Sequence, residues 1–128
     1  MSPRLPLILS ALSLAGCAAL QGPDPSNTAA YCTADNAFRL GSQARAYLGG
    51  CPKEAEGAFL AGLMRGRALV PPTPQAQPYL TQMTELEKQL LAAGSEVERE
   101  RIRTRLRDAE WWAVHIINSP GSYSVDGA

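Results

Sequence analysis

Residues 32–51 read "CTADNAFRLGSQARAYLGGC", and the reading of this stretch decides the fold. Thr33 is an N-cap candidate and Asp35 puts an acid in the first turn, so a helix is expected to begin at Ala34. One straight helix from Ala34 to Leu48 would be about 22 Å long at 1.5 Å per residue. The few residues left before Cys51 cannot return that distance, and bonded cysteines need Cα atoms within roughly 7 Å. Either the helix breaks midway or Cys32 and Cys51 do not pair. Gly41-Ser42 is the expected break, with Gly41 just past the helix end and Ser42 starting the return.

Whether the two cysteines pair depends on the far N-terminus. The chain has 3 cysteines, and an odd number leaves one thiol over. Residues 1–4 form a short segment with one positive charge, Arg4, and residues 5–14 form an apolar run. That run, about ten residues, has the length of a signal-peptide core. A membrane-spanning helix needs roughly twenty. It ends in Leu14-Ala15-Gly16-Cys17, which resembles the bacterial lipobox, where a diacylglycerol joins the cysteine sulfur and the leader is cut just before it. The alternative is a plain secretory leader with an incidental cysteine.

On the lipobox reading, residues 1–16 are a signal peptide and Cys17 is consumed by lipid. Cys32 and Cys51 then remain together in an oxidising compartment, and a disulfide is the natural expectation. Closing that loop would contribute about 3 kcal/mol in the chain-entropy model. A metal site on these cysteines would have to recruit His115 and lacks a fourth ligand, and a catalytic thiol would need a neighbouring base. No catalytic residue, metal site or cofactor is expected.

The lipidation implied at Cys17 would leave several acyl chains, and two or more anchor a protein stably where one binds only marginally. Ala18 follows the cysteine; in Gram-negative lipoproteins an aspartate there favours inner-membrane retention, so the outer membrane facing the periplasm is expected. Residues 17–30 read as a lipidated flexible tether, because "QGPDPSNT" (21–28) is polar and rich in turn formers. Lys+Arg and Asp+Glu number 12 each. Such a balance offers no basic excess for nucleic acid.

The pattern Tyr31-Cys32, Asn36-Ala37, Leu40-Gly41, Tyr47, Cys51-Pro52, Phe59 and Gly66 resembles an uncharacterised family of bacterial lipoproteins, domain of unknown function 2799. The resemblance covers about residues 31–67. The Trp- and Gly-containing segment that family members carry before Tyr-Cys is missing, a second glycine after Gly41 is replaced within Gln43-Ala44-Arg45, and Leu63 stands where an aromatic is common. The chain resembles a shortened member. The resemblance implies an envelope address and a disulfide, and implies no activity.

Beyond the cysteines, Pro52 suits the first turn of a helix, and Phe59, Leu60, Leu63, Met64 and Arg67 continue at helical spacing. Gly62 and Gly66 would let another backbone approach. Residues 31–70 are therefore expected as a disulfide-bounded helical segment, ended by Pro71-Pro72. Residues 71–118 are expected as a Pro-rich link and an antiparallel helical hairpin. Tyr79, Met83, Leu86, Leu90 and Ala93 form one apolar row, and Ile102, Leu106, Ala109, Ala113 and Ile116 form another. Gly94 lies between them, and "SEVE" (95–98) is a capping box. Alternating Arg and Glu on residues 96–110 reads as a solvated, ion-paired face. Residues 119–128 are expected to be disordered.

The fold class expected is all-α. Trp111 and Trp112 fall at the end of the hairpin remote from Gly94 and are read as the joint to the Phe59 helix, with a sugar-stacking or membrane-interface role as the alternative. They are also the partner-binding candidates. The function expected is that of a non-enzymatic lipoprotein, attached to the membrane through its lipid and acting as a small binding or adaptor module for an envelope partner. The alternatives are a self-associating bundle and, with less support, an envelope hydrolase.

Overall fold

Cys32 and Cys51 are joined by a disulfide with their Cα atoms 5.7 Å apart, and the chain between them turns back as that closeness demands. The computed structural model describes residues 22–119. The segment expected as a signal peptide, Cys17, Ala18 and the residues beyond Ser119 lie outside the described residues. These are all-helical, with no strand: α1 (Thr28–Tyr31), α2 (Ala34–Ser42), α3 (Lys53–Arg67), α4 (Gln77–Ala92) and α5 (Glu96–Asn118).

The described part of the segment expected as a tether, residues 22–30, is already structured before the chain reaches Cys32. The Asp24 carboxylate accepts from the Ser26 N–H and hydroxyl, and Asn27 caps the single turn of α1. α2 starts as expected, with the Thr33 hydroxyl accepting from Asn36 N–H at 3.1 Å.

The end of α2 corrects the sequence reading. Gly41 is buried inside the helix, and the residue just past the end is Ala44, at φ 61°. Ala44 N–H donates to Gly41 C=O and Arg45 N–H donates to Leu40 C=O, the two bonds of a Schellman motif. The helix thus ends in a left-handed residue that carries a side chain. Gly41 is needed for space instead. A Cβ there would overlap the Leu63 carbonyl of α3, and one at Gly66 would overlap the Phe38 carbonyl of α2. Glycines on both helices let α2 and α3 cross backbone to backbone.

α4 and α5 form the antiparallel hairpin. Ser95 caps α5 by accepting from Glu98 N–H, and the Glu98 carboxylate accepts from Gly94 N–H. Met83, Leu86 and Leu90 are buried on α4, as are Ile102, Leu106, Ala109, Ala113 and Ile116 on α5. Tyr79 and Ala93 are partly buried at the edge of the same core, while Leu80 and Glu87 are buried beyond the expected row. Phe59 sits between Tyr31 and Tyr47, with ring centroids 5.7 and 5.0 Å away. The hairpin and the disulfide-bounded half thus share one apolar core.

Candidate functional site

Residues 43–52 run as an irregular strap from α2 to α3, and a strap inside a small domain must find partners for its backbone. Side chains of the distant helices supply them. Glu110 accepts from Ala46 N–H at 2.7 Å, Glu87 accepts from Tyr47 N–H at 2.9 Å, and Arg103 donates to Leu48 C=O at 2.9 Å. Arg67 donates to Arg45 C=O at 3.0 Å. This strap is the polar joint between the two halves of the molecule.

A buried charge pair lies under it. The Arg67 guanidinium meets both oxygens of Glu87, at 2.6 and 2.9 Å, and also donates to the Thr84 hydroxyl. Glu87 is fully buried. Closer to the disulfide, the Tyr47 hydroxyl donates to Glu56 at 2.8 Å and accepts from Cys51 N–H at 3.0 Å. Burial, which the Glu56 carboxylate reinforces, pushes the Tyr47 hydroxyl up to about 12, against the pull of the Cys51 N–H. The Arg99 guanidinium lies 3.9 Å from Glu56. Each of these acids is engaged in holding backbone or a neighbouring side chain. That is an arrangement that fixes geometry.

The surface of α5 carries further charge in ladders. Arg103 meets Glu96 at 2.9 Å and Glu100 at 3.5 Å, and Arg107 meets Glu100 at 3.5 Å. The hydrogen bond and charge of Arg103 hold Glu96 below the usual carboxylate range. Exposed pairs of this kind contribute little each.

The tryptophans fall in two places. Trp112 stacks on Tyr79 across the hairpin at 6.0 Å, so it belongs to the packing of α4 on α5. Trp111 is 49% exposed, meets Trp112 edge to face at 4.9 Å and lies flat against His115 at 3.7 Å. The His115 Nδ1–H donates to the Trp111 carbonyl at 2.8 Å, which fixes the ring beside the indole. The expected meeting of both tryptophans with the Phe59 helix is replaced by the strap: Phe59 packs on Tyr31 and Tyr47, and the halves are tied through Ala46, Tyr47 and Leu48. Adjacent residues on a helix point about 100° apart, so both rings cannot fill one joint.

Of the other site residues, Cys32 and Cys51 are bonded to each other, and Cys17 lies outside the described residues. A groove of about 420 Å³ runs between the end of α3, the Pro71-Pro72 link and α4, lined by Met64, Val70, Leu80 and Thr84 among others. Among the described residues no group of three or more His, Cys, Asp or Glu is placed to hold a metal ion. Among them, too, no helix is long and apolar enough to cross a membrane.

The polar interior was missed in the sequence although its spacing was visible. Glu87 stands four after Met83 and three before Leu90, on the buried face of α4, and Arg67 lies on the apolar row of α3. Comparison of the chain with protein-family models, with curated proteins and with solved structures gives no match.

Proposed function

We propose that this chain is a lipoprotein of the bacterial envelope, held by lipid on Cys17 at the outer membrane and facing the periplasm, whose helical domain is a non-enzymatic binding or adaptor module. Membership of the lipoprotein family that residues 31–67 resemble is part of the proposal. The observation that carries it is the Cys32–Cys51 bond. It accounts for two of the 3 cysteines and leaves Cys17 as the odd one, at the end of an apolar leader and after Ala-Gly. Disulfides belong to oxidising compartments, which fits export. The non-enzymatic reading is supported by the engagement of Glu56, Glu87 and Glu110 in hydrogen bonds that hold the strap.

The test is Cys17→Ser in cells fed labelled palmitate. The native chain is expected to take up label and to fractionate with the outer membrane, and the variant to do neither. A variant that still carries label and still sediments with membranes overturns the anchor. Crosslinking in intact cells followed by identification of the captured species tests the binding role, and a sedimentation concentration series separates a foreign partner from a second copy of the chain.

A further inference from the structure

α5 presents Arg107, Trp111 and His115 at four-residue spacing, all exposed along one stripe of the helix. We propose that this stripe rests on the surface of the bilayer to which Cys17 fastens the chain, with the Trp111 indole in the headgroup region; the inference builds on the lipid-anchor reading above.

Three observations lead there. The first is reach. Gly22, the first described residue, is five positions after Cys17, and at about 3.3–3.6 Å per residue it stands within roughly 18 Å of the acylated sulfur. A domain held so close touches the membrane with one of its faces. The second is placement. The tether leads into α1, whose Tyr31 stacks on Phe59 at 5.7 Å. Phe59 in turn packs on Tyr47 of the strap, and the neighbouring Ala46 N–H donates to Glu110, the residue before Trp111, so α1 and the turn of α5 that carries Trp111 flank the same strap. The third is chemistry. Trp111 has the largest side chain among the exposed hydrophobic residues, and indole rings favour the membrane–water interface. Its ring is held between Trp112 and His115, so little side-chain freedom is lost on contact. Arg107, on the same stripe and paired with the exposed Glu100 at 3.5 Å, can exchange that weak surface partner for an anionic headgroup.

A single indole would bind a bilayer weakly from solution. Here the acyl chains already hold the domain at the surface, so the contact is intramolecular and needs only to orient it. A glycan platform would use the same indole and is the competing outcome of the test.

The experiment uses the mature, acylated full chain in vesicles of phosphatidylethanolamine and phosphatidylglycerol, with plain or brominated acyl chains. Trp112→Phe leaves Trp111 as the one fluorophore of its kind, and Trp111→Phe leaves Trp112. The expected result is that bromolipid removes most of the Trp111 emission and leaves that of Trp112 nearly unchanged. Flotation with the vesicles and the acyl mass on Cys17 report the anchor separately. A chain that floats while Trp111 emits equally in plain and brominated vesicles overturns the docking and leaves the anchor standing. So does equal quenching of both tryptophans, or shielding of Trp111 from iodide by soluble peptidoglycan fragments but not by lipid. A chain that does not float and carries no acyl group overturns the anchor and the docking with it. Should Trp112→Phe lose its helical circular dichroism, the native chain is compared with Trp111→Phe: quenching in the first alone supports the proposal, and equal quenching overturns it.

Discussion

Arg67 and Glu87 lie 20 residues apart on α3 and α4 and meet in the interior at 2.6 Å, with the carboxylate wholly removed from solvent. The guanidinium also serves Thr84 and the Arg45 carbonyl, and Glu87 also serves the Tyr47 N–H. Buried ions are costly, and such a pair is favourable only when its remaining hydrogen-bonding positions are filled. Here the strap and Thr84 fill all of them but one, the Arg67 Nε–H, which is buried without a partner.

Removing one partner strands the other. Arg67→Ala is expected to cost about 3–5 kcal/mol in urea denaturation at neutral pH. Arg67→Lys keeps the charge but loses the planar fork that serves several acceptors at once, and is expected to fall between the native chain and Arg67→Ala. The double variant Arg67→Met, Glu87→Leu removes both charges yet leaves Tyr47 N–H without its acceptor. It is expected to recover part of the loss and not all of it. Full recovery would mean that the strap does not depend on Glu87.

Tyr47→Phe removes one donor and one acceptor at a buried position. The Glu56 carboxylate and Cys51 N–H lose their partner, at an expected cost of about 1–3 kcal/mol. The pH dependence carries a second signature. Tyrosine ionises near 10.0 in the unfolded chain and near about 12 in the folded one, so between these values the unfolded state holds fewer protons. The contribution of Tyr47 is therefore complete below pH 10 and declines as pH rises toward 12. Chemical denaturation of Tyr47→Phe at a series of alkaline pH values is expected to show a shallower decline than the native chain.

Ala44 occupies a left-handed conformation with its methyl group buried. The conformation costs roughly 1–2 kcal/mol for a residue with a Cβ. Loss of the methyl from the core offsets about 0.8 kcal/mol of what glycine would recover. Ala44→Gly is expected to raise the thermal midpoint slightly. Ala44→Val, β-branched at the same angle, is expected to lower it well beyond the effect of valine on an exposed helix face.

The disulfide is the remaining staple. The double variant Cys32→Ser, Cys51→Ser is expected to lose about 3 kcal/mol relative to the oxidised chain. Mass analysis of peptides without reductant is expected to recover residues around Cys32 joined to those around Cys51. Two free thiols in protein isolated without reductant would contradict the bond.

Much of this fold was legible in local rules. Thr33 and Ser95 cap helices where their spacing says they should, and the second apolar row of the hairpin is buried at each of its five positions. The break between the cysteines followed from helix length once the two cysteines are taken as paired. Gly41 was assigned a different task because glycine near a helix end serves equally as a left-handed terminator and as a place for close approach. The deciding atom, the Leu63 carbonyl, belongs to another helix. Glu87 and Arg67 hid for a related reason: their spacing marked them as interior while their charge argued for the surface, and only the strap's need for acceptors and donors resolves the conflict. Of the candidate sites, the cysteine pair was readable from arithmetic. The separation of Trp111 from Trp112 required the position of Tyr79.

The strap has a bearing on how the molecule comes apart. Loop amides usually exchange with solvent through small local openings. Ala46 and Tyr47 donate to carboxylates 64 and 40 residues away, on α5 and α4, and Arg103 of α5 holds Leu48 from a distance of 55 residues. Opening any of these contacts means parting the hairpin from the cysteine-bounded half. Hydrogen–deuterium exchange at Ala46 and Tyr47 therefore reports on unfolding of the whole domain, at rates matching the centres of α3 and α5. An irregular segment thereby serves as the hub of the molecule's cooperativity, and the two halves have no route to independent existence while it is in place.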